Sequence, residues 1–433
     1  MSGKHIDILT LGCSKNLVDT ERLMGHLQAC GWQCHHDPEE PHCRVAVINT
    51  CGFIGDAKEE SIRTILQFAQ RKNAGDLDRL YVMGCLSQRY AADLPAELPE
   101  VDGWFGKFDY LNLVQALTDN PCQGFRRQLT TPSHYAYLKI SEGCNRMCSY
   151  CAIPLITGRH HSRTEEDIIR EAEWMSRQGV KEINLIAQDL SSYGTDLYHS
   201  HTLPRLVRQL TAIDGIEWIR LHYAYPTDFP EELLQVMAEE EKVCKYLDLA
   251  LQHCTDHMLQ LMRRRITRAQ QDELVARIRE QVPGICLRTT LMVGHPGETD
   301  EDFSELLDWT RRMHFERMGA FAYSHEEGTY AYLHYQDDIP ADTKQHRLQT
   351  LMALQQEIAD RQQEQMVGCA MRVIIDRREG DYYIGRTQYD SPEVDCEVLI
   401  DASRTELSVG QFYTVNIERA EAFDLYATPL LHH

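Results

Sequence analysis

Lys139-Ile140-Ser141-Glu142-Gly143-Cys144-Asn145-Arg146-Met147-Cys148-Ser149-Tyr150-Cys151 sets three cysteines in a C-x3-C-x2-C run directly after a short apolar stretch. Three thiolates on one tight loop can hold three irons of a cubane iron-sulfur cluster, and no fourth cysteine follows closely enough to cap the remaining iron. An iron with an open position can chelate the amino and carboxylate groups of S-adenosylmethionine and reduce its sulfonium, releasing a radical able to attack unactivated C–H bonds. Half of a zinc site is the competing reading. Zinc sites favour paired C-x2-C units, however, and chance would give this pattern roughly 0.02 times in a chain of this cysteine content.

Upstream, apolar runs alternate with amphipathic stretches. Ile6–Leu11, Arg44–Asn49 and Leu80–Met83 read as strands; Asn16 reads as the N-cap of a helix running to about Ala29, and Ile62, Ile65, Leu66 and Ala69 fall on one face of a second helix. This β-α-β-α pattern predicts a parallel sheet with covering helices. Each strand ends in a cysteine: Leu11-Gly12-Cys13, Thr50-Cys51-Gly52 and Met83-Gly84-Cys85. A single cysteine of this kind reads as a buried core thiol. Three at the same topological position, where open α/β sheets gather ligands, read instead as a second cluster with an open iron. Cys30, Cys34, Cys43 and Cys122 lack that placement and read as structural.

Residues 121–134, rich in Pro, Gly and polar side chains, read as a linker between an N-terminal domain (1–120) and a central domain (135–365). The central segment resumes the β/α alternation, with strands near 136–140, 182–187, 217–223, 246–251, 285–293 and 318–323, and so predicts a partial TIM-like (β/α) barrel, open or closed. Its strand ends at Gln252-His253 and at Gly294-His295-Pro296-Gly297 lie where barrel active sites are built; Gly294 and Gly297 are candidates for contacting an adenosyl group, although either could serve a plain turn and His253 could be a satisfied core residue. Arg263-Arg264-Arg265 reads as a solvated helix end or loop. From 366 to 433 the apolar period changes to two over five short segments, predicting a small all-β barrel of OB-like type. Its twelve acids, Glu393 and Asp395 among them, outnumber six arginines, which suits a basic protein partner better than RNA.

The whole chain of 433 residues is 43% apolar and 25% charged, ordinary for two or three folded domains. Sixty-six acidic against 44 basic side chains give a net charge of −22, which argues against broad contact with a phosphate backbone. No apolar h-region opens the sequence and no apolar run is long enough for a membrane span, so a cytoplasmic protein is expected. Fifteen cysteines in a chain of this size read as metal ligands and buried thiols in a reducing compartment.

With both cysteine sets assembled, the chain resembles the methylthiotransferases of the radical S-adenosylmethionine class over all three domains. The resemblance rests on Leu138–Cys144, Ala187-Gln188-Asp189, Arg220–Tyr223 with Tyr225-Pro226, Tyr246-Leu247-Asp248, Gln252-His253, Glu326–Thr329 and Ser391–Asp395. Within the class it is most similar to the members that modify an aspartate of the twelfth protein of the small ribosomal subunit. Thr157 and His295 depart from the pattern, standing where Arg and an aromatic are usual. The resemblance implies an N-terminal methylthiotransferase domain and a TRAM-like terminal barrel. It implies two 4Fe-4S clusters on Cys13/Cys51/Cys85 and Cys144/Cys148/Cys151, with Tyr150 near the adenine of S-adenosylmethionine. An electron donor is implied too, with neither membrane nor tRNA as partner. A tRNA adenosine methylthiotransferase and a non-catalytic iron-sulfur protein remain the alternatives.

Overall fold

The computed structural model describes residues 4–119, 122, 124–421 and 423–430; Pro121 and Gln123 of the expected linker, Asn120 just before it, Ala422 and both chain ends lie outside them. Five parallel strands form the first sheet: β1 (Lys4–Thr10), β2 (Trp32–His36), β3 (Val45–Thr50), β4 (Arg79–Gly84) and β5 (Gly103–Trp104), in the order β2-β1-β3-β4-β5. Both faces are covered, as a parallel sheet requires. Val47 and Met83 pack under helices Ser14–Ala29 and Tyr110–Leu117, while their neighbours Ile48 and Val82 pack against helix Gly55–Asn73. The β2 and β5 strands had no apolar signal of their own; β2, Trp-Gln-Cys-His-His, is a half-exposed edge strand placed by its ladder with β1.

The second sheet follows with β6 (Tyr135–Lys139), a short antiparallel pair β7 (Ser141–Glu142) and β8 (His161–Ser162), then β9 (Glu182–Ile186), β10 (Trp218–Ala224), β11 (Val243–Leu249), β12 (Cys286–Val293) and β13 (Arg317–Ala322). Its parallel order is β13-β12-β11-β10-β9-β6, so the barrel is partial and open between β6 and β13. Leu185, Leu221, Leu247, Leu287 and Leu291 belong to one large core under the surrounding helices. The long helix Ala341–Glu364 packs through Leu351 on that core and delivers the chain to β14 (Ala370–Glu379), β15 (Tyr382–Thr387), β16 (Val398–Asp401), β17 (Phe412–Glu421) and β18 (Asp424–Pro429), which close into a barrel. Alternate residues Val373, Ile375, Val398, Ile400, Val415 and Ile417 fill it.

Charges clamp these units together. Arg127, from the segment read as a linker, is fully buried; its guanidinium donates to Glu21 at 2.5 and 2.8 Å, to Glu171 at 2.6 Å and to the Tyr137 carbonyl at 2.7 Å. The strand of chain carrying it crosses helix Ser14–Ala29 so closely that a Cβ on Gly25 would lie 2.5 Å from the Arg127 nitrogen. The terminal barrel is held by Arg386, whose guanidinium reaches Glu182 at 2.8 Å and Asp376 at 2.6 Å, and by Arg317 on Asp390. Four of the barrel acids thus bond across the junction: besides Asp376 and Asp390, Glu393 accepts from the Tyr135 hydroxyl at 2.8 Å, and Asp395 from Tyr246 at 3.0 Å and from Arg288. Glu393 and Asp395, expected to help meet a basic partner, also bond across the domain junction, the Asp395 carboxylate buried there and Glu393 still exposed. Among the described residues no helix is long and apolar enough to cross a membrane.

Burial alone would raise the Glu171 carboxyl, but Arg163, Arg127 and Arg22 outweigh it and hold it at about 2. A depressed folded value contributes stability that is complete above the ordinary glutamate range near ~4.3 and is lost as pH falls toward 2. The urea midpoint is therefore expected to drop between about pH 4 and pH 2, and Glu171→Gln, which takes the carboxylate from Arg163 and Arg22 and leaves Arg127 with the Glu21 carboxylate alone, to cost about 3–5 kcal/mol at neutral pH.

Candidate functional site

The three N-terminal cysteines sit where neighbouring strands β1, β3 and β4 end. Gly12, at φ +95°, turns the chain so tightly that a Cβ there would lie 2.9 Å from the Cys51 Cβ. Helix Ser14–Ala29 starts with Cys13, not Asn16, as its N-cap residue. Asn16 has a different task, because its side chain braces all three turns. Its amide donates to the Leu11 and Thr50 carbonyls at 3.0 Å each, and its carbonyl accepts from the Cys85 thiol at 3.5 Å and from Lys107 at 3.3 Å. Ser61 fixes the middle turn, accepting from the Cys51 amide and donating to its carbonyl. Behind them Asp19 pairs with Lys107 at 2.8 Å and with Lys139.

The second triad lies on the loop between β7 and β8. The Arg146 amide donates to the Cys144 sulfur at 3.3 Å, and its guanidinium, stacked over Tyr225, pairs with Asp189 at 2.9 Å and Asp228 at 3.0 Å. Arg264 corrects the reading of the arginine run as solvated. Arg263 and Arg265 adopt φ of +57° and +55°, and the chain between them turns Arg264 inward, 2% exposed. Its guanidinium donates to the Cys148 sulfur at 3.3 Å, to the Tyr150 hydroxyl at 3.2 Å and to the Ala250 carbonyl, and stacks over Tyr225. A local sequence pattern could not reveal this, since every partner is 14 or more residues away. Tyr150 is backed by His295, whose ring meets it edge-on at 6.4 Å and whose Nε2 is 3.0 Å from the Ser149 hydroxyl. Burial pushes that imidazole down to about 4, so it is neutral.

All six cysteines line one cavity of about 440 Å³ between the carboxyl ends of the two sheets. Tyr150, Arg264, Lys15, Thr157 and Tyr225 share its wall. Gly294 and Gly297 do not; each takes a positive φ in the turn after β12, packed against Lys344 and Leu261. The cavity touches a cleft of about 470 Å³ at the junction of all three domains, with Gly12, Cys13, Tyr223 and Asp248 lining both.

The donor set fits iron-sulfur clusters. All six are free thiols. Among the described residues neither triad brings its three sulfurs within 4.8 Å of one another, whereas a single tetrahedral zinc would draw thiolates to about 3.8 Å. Wider spacing suits a multinuclear group. Burial pushes the Cys85 and Cys144 thiols up to about 12, a cost that metal coordination relieves. Burial also raises Cys13, but Lys15 and Lys107 outweigh it and leave that thiol below the ordinary range.

Comparison with known proteins agrees with this geometry. The Radical SAM superfamily profile matches residues 138–310, so the central domain is that of a radical S-adenosylmethionine enzyme; the uncharacterized protein family UPF0004 matches residues 5–106, and the TRAM domain residues 367–430. The chain is 58% identical over 429 residues to the ribosomal protein uS12 methylthiotransferase RimO of Bacteroides thetaiotaomicron, covering 99% of this chain and 98% of that one. It is 56% identical over 430 residues to that of Porphyromonas gingivalis, covering 99% of each. The chain belongs to the RimO family of radical methylthiotransferases. Among solved structures, the radical S-adenosylmethionine methyltransferase TsrM of Kitasatospora setae superposes with a TM-score of 0.57 at 14% identity, over 88% of this chain and 80% of that one, which is a likeness of fold.

Because Asn16 braces the three N-terminal turns, Asn16→Ala is expected to weaken iron binding there by about tenfold or more. The check is iron per chain in a protein whose Cys144, Cys148 and Cys151 are replaced by alanine.

Proposed function

We propose that this enzyme transfers a methylthio group to the β-carbon of an aspartate in ribosomal protein uS12. The observation that carries the reading is the convergence of both cysteine triads on one cavity, in a chain whose full-length relatives are named ribosomal protein uS12 methylthiotransferases. Cys13, Cys51 and Cys85 would hold one 4Fe-4S cluster, and Cys144, Cys148 and Cys151 a second. When bound, the clusters and S-adenosylmethionine supply the methyl group, the sulfur-carrying iron and the radical that C–H functionalisation needs.

The chain's own residues position and insulate these groups. Arg264 gives the buried Cys148 sulfur a charged hydrogen bond and fixes the Tyr150 hydroxyl, orienting the aromatic expected beside the adenine. Asp189 and Asp228 hold Arg146, whose amide supports Cys144. Phe53, Ile54, Ile153, Ile156 and Phe321 give the cavity apolar stretches of wall, which protect a radical from side reactions with water. In this reading Gly294 and Gly297 shape the turn beside Tyr150 through His295.

Docking falls to the outer face of the terminal barrel. With Asp376, Asp390 and Asp395 turned inward, the exposed acids Glu379, Asp381, Glu393, Glu406, Glu418 and Glu421 are left to meet a basic protein. The same surface disfavours tRNA. An external one-electron donor completes the system.

A product assay tests this: anaerobically reconstituted enzyme with S-adenosylmethionine and reductant is offered small ribosomal subunits and bulk tRNA in parallel, and products are weighed by mass spectrometry. A methylthio mass gain on a uS12 aspartate is expected; a gain confined to tRNA refutes the substrate. Cys148→Ala should bring 5′-deoxyadenosine formation to background while iron at the other triad remains. Replacing Glu379, Asp381 and Glu406 together by lysine should slow uS12 association several-fold at low salt and little at high salt, as stopped-flow kinetics would show.

A further inference from the structure

The cations around the cavity are nearly all matched. Lys107 and Lys139 share Asp19 and Glu142, Arg146 holds Asp189 and Asp228, and Arg264 caps the Cys148 sulfur. Asp248, on the same wall, faces Arg288 at 4.0 Å. Lys15 is matched only at longer range. Its ammonium has no carboxylate within ion-pairing distance among the described residues, and lies instead 3.6 Å from the centre of the Tyr223 ring. Burial opposes this charge, but Tyr223, the Cys13 sulfur and Glu142 outweigh it at longer range, and none of them occupies the ammonium as an ion-paired carboxylate would, which leaves the site able to take an anion.

Its position is specific. Lys15 starts on the Cys13 side of the cavity and reaches across to a residue of β10, so it spans the seam between the domains. Tyr223 holds its ring there from a left-handed backbone, φ +66°, a strained state for a bulky residue. Tyr223 and Cys13 line both the cavity and the three-domain cleft, and Lys15, on the cavity wall, touches the first and lies two residues from the second.

We propose that Lys15, seated on Tyr223, is the subsite for the carboxylate of the substrate aspartate. The inference rests on the functional reading above and deepens it. Such a group would read the chemical difference between an aspartate and its amide, and would fix the carboxylate so that the neighbouring β-carbon points into the cavity. The methionine carboxylate of S-adenosylmethionine is the other anion that could come here. Lys15 stands two residues from Cys13, beside the first triad, which favours the substrate over the cofactor, and the affinity for S-adenosylmethionine itself separates the two.

The test is equilibrium binding to the reconstituted full chain of two probes, uS12 and uS12 with the target aspartate replaced by asparagine, followed by S-adenosylmethionine itself. The unsubstituted enzyme should prefer the aspartate form by about tenfold or more, the range of a charged hydrogen bond. Lys15→Met should erase the preference, Lys15→Arg should keep much of it, and S-adenosylmethionine affinity and iron per chain should stay level across the three. Equal affinity of the unsubstituted enzyme for both forms overturns the proposal without any enzyme variant. A preference surviving in Lys15→Met also overturns it, as does a parallel loss of S-adenosylmethionine affinity, which would assign the lysine to the cofactor. Iron lost from Lys15→Met alone would make the lysine a counter-charge for the cluster and equally overturn it. Binding of neither form of uS12 sinks the functional reading, and this inference with it.

Discussion

The architecture hangs on a buried guanidinium. Arg127 sits between Glu21 of the N-terminal unit and Glu171 of the central barrel, with no exposure, and also takes the Tyr137 carbonyl. A charge that deep is tolerable only when every neighbour is in place, since removing one partner leaves another uncompensated. The clamp therefore behaves as a single cooperative joint and not as three separable contacts. Together with the Arg22–Glu171, Arg89–Glu326 and Lys139–Asp19 pairs it ties the N-terminal unit to the central barrel.

Much of the fold was legible because its strands are buried on both faces and read as continuous apolar runs, and because the terminal barrel alternates with period two. The cysteine positions were legible for a related reason: a cysteine just past a parallel strand has one place to go. What escaped was everything decided by distant partners. Asn16 looked like a cap because it stands near a helix start, yet its bonds go to three different strand ends. Arg264 looked solvated because charge runs usually are; two left-handed residues turn it inward, and local sequence does not encode that turn. The edge strand β2 is polar and pairs only because β1 offers it a free edge.

The terminal barrel shows how composition can mislead about direction. Its acidic surplus is real, but part of it is internal mortar: Asp376 and Asp390 neutralise Arg386 and Arg317, and Glu393 and Asp395 accept from tyrosine hydroxyls of the central sheet. Counting charges gives the sign of a domain's field; only the fold says which of them face a partner. Here the inward acids also lock the barrel beside the cleft, so its outer charges are held in a fixed orientation relative to the cavity mouth.

The two parallel sheets point their carboxyl ends at each other, and the sulfurs lie in the gap. Backbone on both sides makes that gap a gauge of shape as well as of chemistry. A residue embedded in a helix or a sheet cannot be brought to its floor, because the rest of that element would collide with the walls; a residue at the tip of a slender loop can. Under the proposed function, selection of one target residue on a large assembly then needs no long recognition sequence. The enzyme can discriminate by protrusion, and the local fold around the target becomes part of the code it reads.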